Sequence, residues 1–305
     1  MKKKVLITGG SGFIGKKLTD LLQRNGYSVS ILTRAGGNFG NVDTFKWDPV
    51  NGSIDEEALE GLFAVVHLAG AGVADRKWTR QRKKDILDSR IKSASLIYHK
   101  LKEKPENERP EAFISASGVG FYGYDTGSLL INEQSNPGDD FLATVCKEWE
   151  LAADAFEDLS MRVVKLRIGF VLSEIGGALK VMMRPVKFWL GAGLGRGDQY
   201  LSWIHVDDLV RMFLLALDHS KIHGSYNAVG PAPATNEEMM KEIARVLEKP
   251  FFLPNVPAFA LKLVMGEMAS MVLGGNRVSC DRIVSEGFEF NHPSLEGALE
   301  NLLEK

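Results

Sequence analysis

The chain has 305 residues, 45% of them hydrophobic and 25% charged, enough to bury one large α/β core or two smaller ones. A formal net charge of −2 supplies no long-range field for nucleic acid or an anionic membrane, so neither is an expected partner. Two cysteines, Cys146 and Cys280, are too few for a disulfide framework and fit a reducing cytoplasm. The apolar run of MKKKVLITGG stops at Gly9 with no cleavage site behind it, so no export signal is expected.

In chain order, residues 5–8 read as a short apolar strand closed by glycines, and 13–24 carry helical spacing. Further strands are expected at 29–33, 64–69, 112–115 and 162–168, with helical patterns at 84–102 and 146–157 between them. Nearly continuous apolar strands alternating with helices imply a doubly wound parallel sheet of the Rossmann kind, covered on both faces. After Leu172 the pattern loosens into GAGLGRGDQYLSW, expected to be a loop over the site. A helix at 207–218 and a strand at 225–228 follow, and 236–305 are mainly helical. The expected division is a nucleotide-binding lobe of 1–172 with 203–230, and a smaller helical substrate lobe of 173–202 with 231–305. The apolar tract 256–273 is broken by Lys262 and Glu267, too polar to span a membrane. It reads as an amphipathic helix packed on the core or on a partner subunit, which leaves a homodimer open.

The first chemistry-bearing stretch is VLITGGSGFIGKKL, with Gly9, Gly12 and Gly15 between the first strand and the first helix. Gly9 permits a tight turn, Gly12 lets backbone approach a pyrophosphate, and Gly15 allows close packing of helix on strand. The helix N-terminus adds oriented N–H donors. A dinucleotide is therefore expected at this loop.

The spacing GGSGFIG, with VVHLAG at 65–70, SASGVGFYG at 115–123 and WIHVDDLV at 203–210, resembles the extended short-chain dehydrogenase/reductases, the NAD(P)-dependent epimerase and dehydratase family. WTRQRKKDILDSRI, FLATVCKEWE and GFEFNHPSLEGAL resemble a branch labelled only epimerase family proteins. The resemblance implies that Gly9, Ser11, Gly12, Phe13, Ile14 and Gly15 cradle the cofactor, with Leu68, Ala69 and Gly70 facing it. It places Asp48 at the adenine contact, where a turn before Pro49 explains the same aspartate. Arg34 ends the second strand where an acid would bind the ribose of NAD, so NADP(H) is the expected cofactor and NAD the lesser one.

The same resemblance implies a tyrosine and, four residues later, a lysine as proton donor and its helper. Anchoring that pattern on Glu150 puts Leu142 and Cys146 in those places, and a frame using Lys147 puts Ala143 at the tyrosine. Tyr98 with Lys102 matches the spacing but precedes the serine strand and reads as a solvated helix end. Ser117 and Tyr122 remain as the catalytic candidates, and Cys146 as a cofactor-facing thiol or a buried filler. Arg90, with Lys84 and Arg76, could face an anionic substrate, and an exposed basic helix face is the preferred reading; His219 with His223 lack a third ligand, so no metal is expected. Two functions stay open: an NADP(H)-dependent oxidoreductase or epimerase acting on a small carbonyl or hydroxyl compound, and an NADP(H)-binding regulatory protein with little or no turnover.

Overall fold

The computed structural model of the chain describes residues 2–34, 39–40 and 42–304. Met1 and Lys305, the outer ends of the two expected lobes, lie outside the described residues. The main sheet is built from β1 (Lys4–Thr8), β2 (Ser28–Thr33), β3 (Asp43–Asp48), β4 (Ser53–Ile54), β5 (Leu62–His67), β6 (Ala112–Gly118), β8 (Arg162–Ile168) and β12 (Gly224–Ala228). Between and after them, β7 (Leu130–Ile131) pairs with β14 (Arg277–Val278), β9 (Phe170–Leu172) with β11 (Trp203–His205), and β10 (Tyr200–Leu201) with β13 (Ala234–Thr235). The sheet order is β12-β8-β6-β5-β1-β2-β3-β4, parallel throughout except that β4 runs antiparallel to β3. Strand order reverses at β1 and β5, so a crevice opens at their C-terminal ends, beside Gly9 and Leu68.

Ten α-helices are described: α1 (Phe13–Arg24), α2 (Arg80–Lys102), α3 (Phe141–Asp154), α4 (Ala178–Lys187), α5 (Val206–Asp218), α6 (Asn236–Val246), α7 (Ala258–Met265), α8 (Ser270–Leu273), α9 (Asp281–Ser285) and α10 (Leu295–Leu303). The two-residue period of β1 explains the layering. Val5 and Ile7 join the core formed with Leu18 and Leu22 of α1 and Leu209 and Phe213 of α5, while Leu6 joins Ile97 and Leu101 of α2 and Ala153 of α3. A third core of Leu179 and Met183, Met239 and Ile243, Trp203 and Leu299 binds α4, α6 and α10 together. Val278, Cys280 and Ile283 return to the α1–α5 face, so residues around 277–288 pack on the sheet rather than on the third core.

Residues 191–203, expected as a loop, are mainly loop and end in β10 and β11, and the preceding α4, with Leu179, Met183 and Val186 buried and Pro185 inside it, was not expected. Residues 256–273 do not form one helix, because Gly266 at φ +63° leads into a 3-10 turn between α7 and α8. Met265 of α7 and Met271 of α8 pack against the cluster of Trp78, Ile86, Val145 and Met268, while Phe259, Leu263 and Val264 of α7 are exposed. Among the described residues no helix is long and apolar enough to cross a membrane.

Candidate functional site

The loop after β1 is fixed by close approaches. Gly9 has φ +71°, and a Cβ there would lie 2.9 Å from the carbonyl of Leu68. A Cβ on Gly15 would sit 2.5 Å from Gly9 O, so α1 is held against the loop only because position 15 is bare. Thr8 Oγ1 accepts from the N–H groups of Leu68 and Ala69, and Thr8 shares a 2.8 Å bond with His67 Nδ1. With both N–H groups pointing at it, the Thr8 hydroxyl gives its proton to Nδ1, leaving His67 a neutral Nε2–H tautomer beside Ser93 Oγ. Burial pushes the His67 pKa down to about 4, consistent with that neutral ring. Side chains cap α2, α3, α5, α6 and α10, from Thr79, Asp140, His205, Thr235 and Ser294. The N-cap of α1 is Gly12, with no side-chain bond, so its first-turn N–H groups and dipole stay open.

Phe13 opens α1 and packs against the backbone of 176–177, while Ile14 joins the sheet core; both line the crevice. Ser11 is exposed beside them. Arg34 is exposed at the end of β2, and Asp48 ends the neighbouring β3. Asp48 Oδ1 accepts from the N–H groups of Val50 and Asn51, and Oδ2 from the Asn51 amide. Those bonds hold its pKa below the ordinary carboxylate value and make it the turn former that its position before Pro49 suggests.

Across the crevice, Ser117 Oγ donates to Glu150 Oε1 at 2.8 Å. Arg167 grips the same carboxylate with Nε and Nη2 at 2.8 and 2.9 Å, and its Nη1 donates to the Tyr122 hydroxyl at 3.0 Å. Tyr122 in turn donates to Asn227 Oδ1 at 2.7 Å. Although burial works against its charge, the bonded Glu150 carboxylate raises the Arg167 pKa, so the guanidinium stays charged. This corrects the expected place of Tyr122: it is 5% exposed, lies outside the crevice lining, and its hydroxyl is engaged within the fold. Burial also raises its pKa.

The crevice itself is a cavity of about 520 Å³, walled by Leu68 and Gly70, Ser117, Leu142 and Cys146, and on the far side by Tyr200, Ser202 and Asn276. Leu142 and Cys146 face it from α3, so no phenol or ammonium enters from the helix where the resemblance implies both. Burial pushes the Cys146 thiol up to about 11, which keeps it protonated. Lys147 is directed elsewhere, donating to Gly138 O at 3.2 Å. Arg90 is the second correction. It lines the cavity, is 8% exposed, and stacks its guanidinium 4.7 Å from the Trp149 ring centre instead of facing solvent.

Four buried polar atoms without a hydrogen-bond partner belong to residues lining this one cavity: Arg90 Nε, Tyr124 Oη, Trp149 Nε1 and Asn276 Oδ1. Buried polar groups are normally satisfied, so such a concentration marks a place where a ligand completes the bonding. Tyr124, the second tyrosine of GFYGY expected near the serine strand, does line the cavity; Asn276 and the Arg167–Glu150 pair were not anticipated from the sequence. The pair had a signal: an arginine inside the apolar run RVVKLRI needs a buried carboxylate. Outside the cavity lining, the Tyr98 ring packs edge-on to Phe156 in the core between α2, α3 and the sheet. His205, Asp207 and His292 bring ligand atoms within 4.8 Å of one another. There, His205 Nδ1 already accepts from Asp207 N–H, and Lys17 pairs with the Asp207 carboxylate.

Residues 5–229 match the NAD dependent epimerase/dehydratase family, and residues 256–302 match a domain of unknown function, DUF1731. The chloroplastic epimerase family protein SDR39U1 homolog of Arabidopsis thaliana is 38% identical over 98% of this chain and 86% of its own length. The epimerase family protein YfhF of Bacillus subtilis is 34% identical over 98% of this chain and 97% of its own. The crystal structure of human epimerase family protein SDR39U1 (isoform 2) with NADPH is similar at a TM-score of 0.87, with 31% identity over 99% of each chain.

Proposed function

From the premise that the chain belongs to the NAD dependent epimerase/dehydratase family, we propose that it binds NADP(H) in the cavity at the C-terminal ends of β1 and β5. The observation that carries this reading is the set of unpaired polar atoms on residues lining that cavity, which Phe13 and Ile14 at the uncapped start of α1 also line. The pyrophosphate would rest on the backbone of Gly9, Ser11, Gly12 and the first turn of α1, through Phe13, Ile14 and Gly15, with Leu68, Ala69 and Gly70 against the ribose. Arg34 favours NADP(H) over NAD, since a guanidinium there complements a 2′-phosphate. The human relative's NADPH complex supports the same cofactor.

Bound nicotinamide supplies hydride chemistry, and the chain's residues decide what accompanies it. Ser117 has committed its proton to Glu150, so toward the cavity it offers lone pairs that hold a substrate hydroxyl. The Cys146 thiol, with its raised pKa, is a weak acid at neutral pH. A positioned general acid typically contributes about 10²–10⁴-fold, and that factor is missing from this wall. We therefore favour a small carbonyl or hydroxyl substrate turned over slowly, between the nucleotide-binding lobe and the 173–202 and 231–305 lobe. The absence of a phenol and an ammonium from the part of the cavity wall that α3 forms equally favours a second reading, an NADP(H)-responsive regulatory protein. Two buried free cysteines suit a cytoplasmic setting for either. Mass spectrometry of ligands retained on purification, followed by NADPH oxidation assays across aldehydes, ketones and nucleotide sugars, separates them. Retained NADPH with slow oxidation by a carbonyl supports the enzyme, retained NADPH with no oxidation supports the regulator, and a cavity that takes no dinucleotide removes both.

A further inference from the structure

The fold buries most of its large apolar side chains, yet Phe188, Trp189, Leu190, Phe252, Phe259 and Leu263 are each 60–81% exposed. They belong to two segments, the end of α4 and the stretch from 249 into α7. These segments lie side by side. Val256 N–H donates to Gly193 O at 2.8 Å, Gly195 N–H donates to Val256 O at 2.9 Å, and Lys249 Nζ stands 5.6 Å from the Trp189 ring centre. The turn that displays Trp189 works against the backbone's preference. Leu190 N–H donates to Pro185 O and Trp189 N–H to Val186 O, closing α4 in the arrangement that usually takes glycine at its left-handed position. Here that position is Trp189, at φ +66°, so a bulky aromatic is held in a strained conformation and mostly exposed.

The charges around these side chains have one sign. Residues 175–197 and 249–266 contain Lys180, Arg184, Lys187, Arg196, Lys249 and Lys262 and no aspartate or glutamate. Arg196 pairs with Asp198, and the other five make no ion pair among the described residues. The net charge of −2 averages over every face of the chain, whereas contact is decided within about 10 Å, the reach of a charge at ordinary salt. An apolar surface studded with cations disfavours a second copy of itself, because a twofold contact would set basic against basic. Side chains this exposed project into solvent, and a fluid bilayer closes around such projections without needing a matching shape. We propose that this face docks on a bilayer containing anionic lipid, with the aromatic side chains entering the headgroup layer and the five unpaired cations facing lipid phosphates.

The test is co-sedimentation of the full chain with vesicles of phosphatidylcholine alone and of phosphatidylcholine with about one third phosphatidylglycerol. The chain should sediment with the anionic vesicles and stay in solution with the neutral ones. Binding should fall as salt is raised from about 0.1 to about 1 M, where screening shortens to about 3 Å. Phe259→Ser with Leu263→Ser should weaken binding about 10–100-fold. Lys180→Gln with Lys187→Gln and Lys262→Gln should weaken it about 100-fold, since each basic residue near an anionic surface is worth about fivefold. Trp189→Gly separates docking from folding: binding should drop about 5–10-fold while the melting temperature holds or rises, because glycine takes the left-handed position without strain. No sedimentation with anionic vesicles overturns the proposal. If the chain is then a dimer that Phe259→Ser with Leu263→Ser dissociates, the face is a subunit interface; if it is a monomer, an acidic protein is the remaining occupant. Sedimentation that every variant retains in full also overturns the proposal, because another face would be binding.

Discussion

Two buried arginines pack against α3, Arg90 at Trp149 and Arg167 at Glu150, and are treated in opposite ways. Arg167 is 5% exposed and fully engaged, gripping Glu150 with two nitrogens and Tyr122 and the Glu133 carbonyl with the third. Arg90 is 8% exposed and has only two backbone carbonyls, no acid, and an orphaned Nε. Both have desolvation against them; only Arg167 has a carboxylate that compensates inside the fold. The contrast teaches where to look for structure and where to look for function. A satisfied buried charge ties β6, α3, β8 and β12 together, and an unsatisfied one beside a cavity is held ready for something that is not protein.

The comparison breaks most visibly at Arg167. Arg167→Met leaves the Glu150 carboxylate buried and uncompensated, which should cost about 3–5 kcal/mol of stability in urea denaturation. A loss no larger than that of an exposed arginine would mean the network is not holding the sheet. His67 shows a third way to manage a buried titratable group, by giving up its charge. Its pKa in the fold is about 4 against an ordinary 6.5. The unfolded chain therefore binds the proton more readily, and the stability this histidine contributes is complete above about pH 6.5 and lost as pH falls toward about 4, a change of about 3 kcal/mol. His67→Gln should flatten that part of the stability–pH curve measured between pH 7 and 5; an unchanged slope would place the titration elsewhere.

Arg34 supplies the exposed counterpart to Arg90. Arg34→Ala should weaken NADPH about 10–100-fold in calorimetry and leave NADH nearly unchanged, because the lost partner is a phosphate that NADH lacks. Equal losses for both would show that Arg34 does not discriminate. The smallest effect is expected at Tyr122→Phe. Leaving Asn227 and Arg167 each short of one bond should cost about 1–2 kcal/mol of stability, with NADPH affinity and any turnover unchanged. A fall in turnover with stability retained would return the phenol to the chemistry.

β1, β2, β5, β6 and β8 were legible because each is a compact, largely apolar run between glycines or polar turns, and the loop from Gly9 to Gly15 because glycine is required where backbone approaches backbone this closely. The missing phenol and ammonium at 142 and 146 could be read by laying the pattern that the resemblance implies on Glu150, and Leu142 and Cys146 line the cavity there. Arg90 could not be read this way. On α2 it stands among Lys83, Lys84 and Lys92, and a run of basic residues looks the same whether one of them turns inward or none does. Tyr122 failed for a related reason. GFYGY places two tyrosines near the serine strand, and only tertiary packing sends Tyr122 to Asn227 while Tyr124 lines the cavity. The α4 helix was hidden by Pro185 and by a Gly-rich context that reads as loop.

The central claim is that Arg90 serves a ligand and Arg167 serves the fold. Thermal unfolding of Arg90→Met and Arg167→Lys, each with and without saturating NADPH, tests both halves in one measurement. The account predicts that Arg90→Met keeps its ligand-free melting temperature and loses most of the NADPH-induced rise, whereas Arg167→Lys melts lower without ligand and keeps the rise. The opposite pattern, a destabilised Arg90→Met that still responds fully to NADPH, would contradict it.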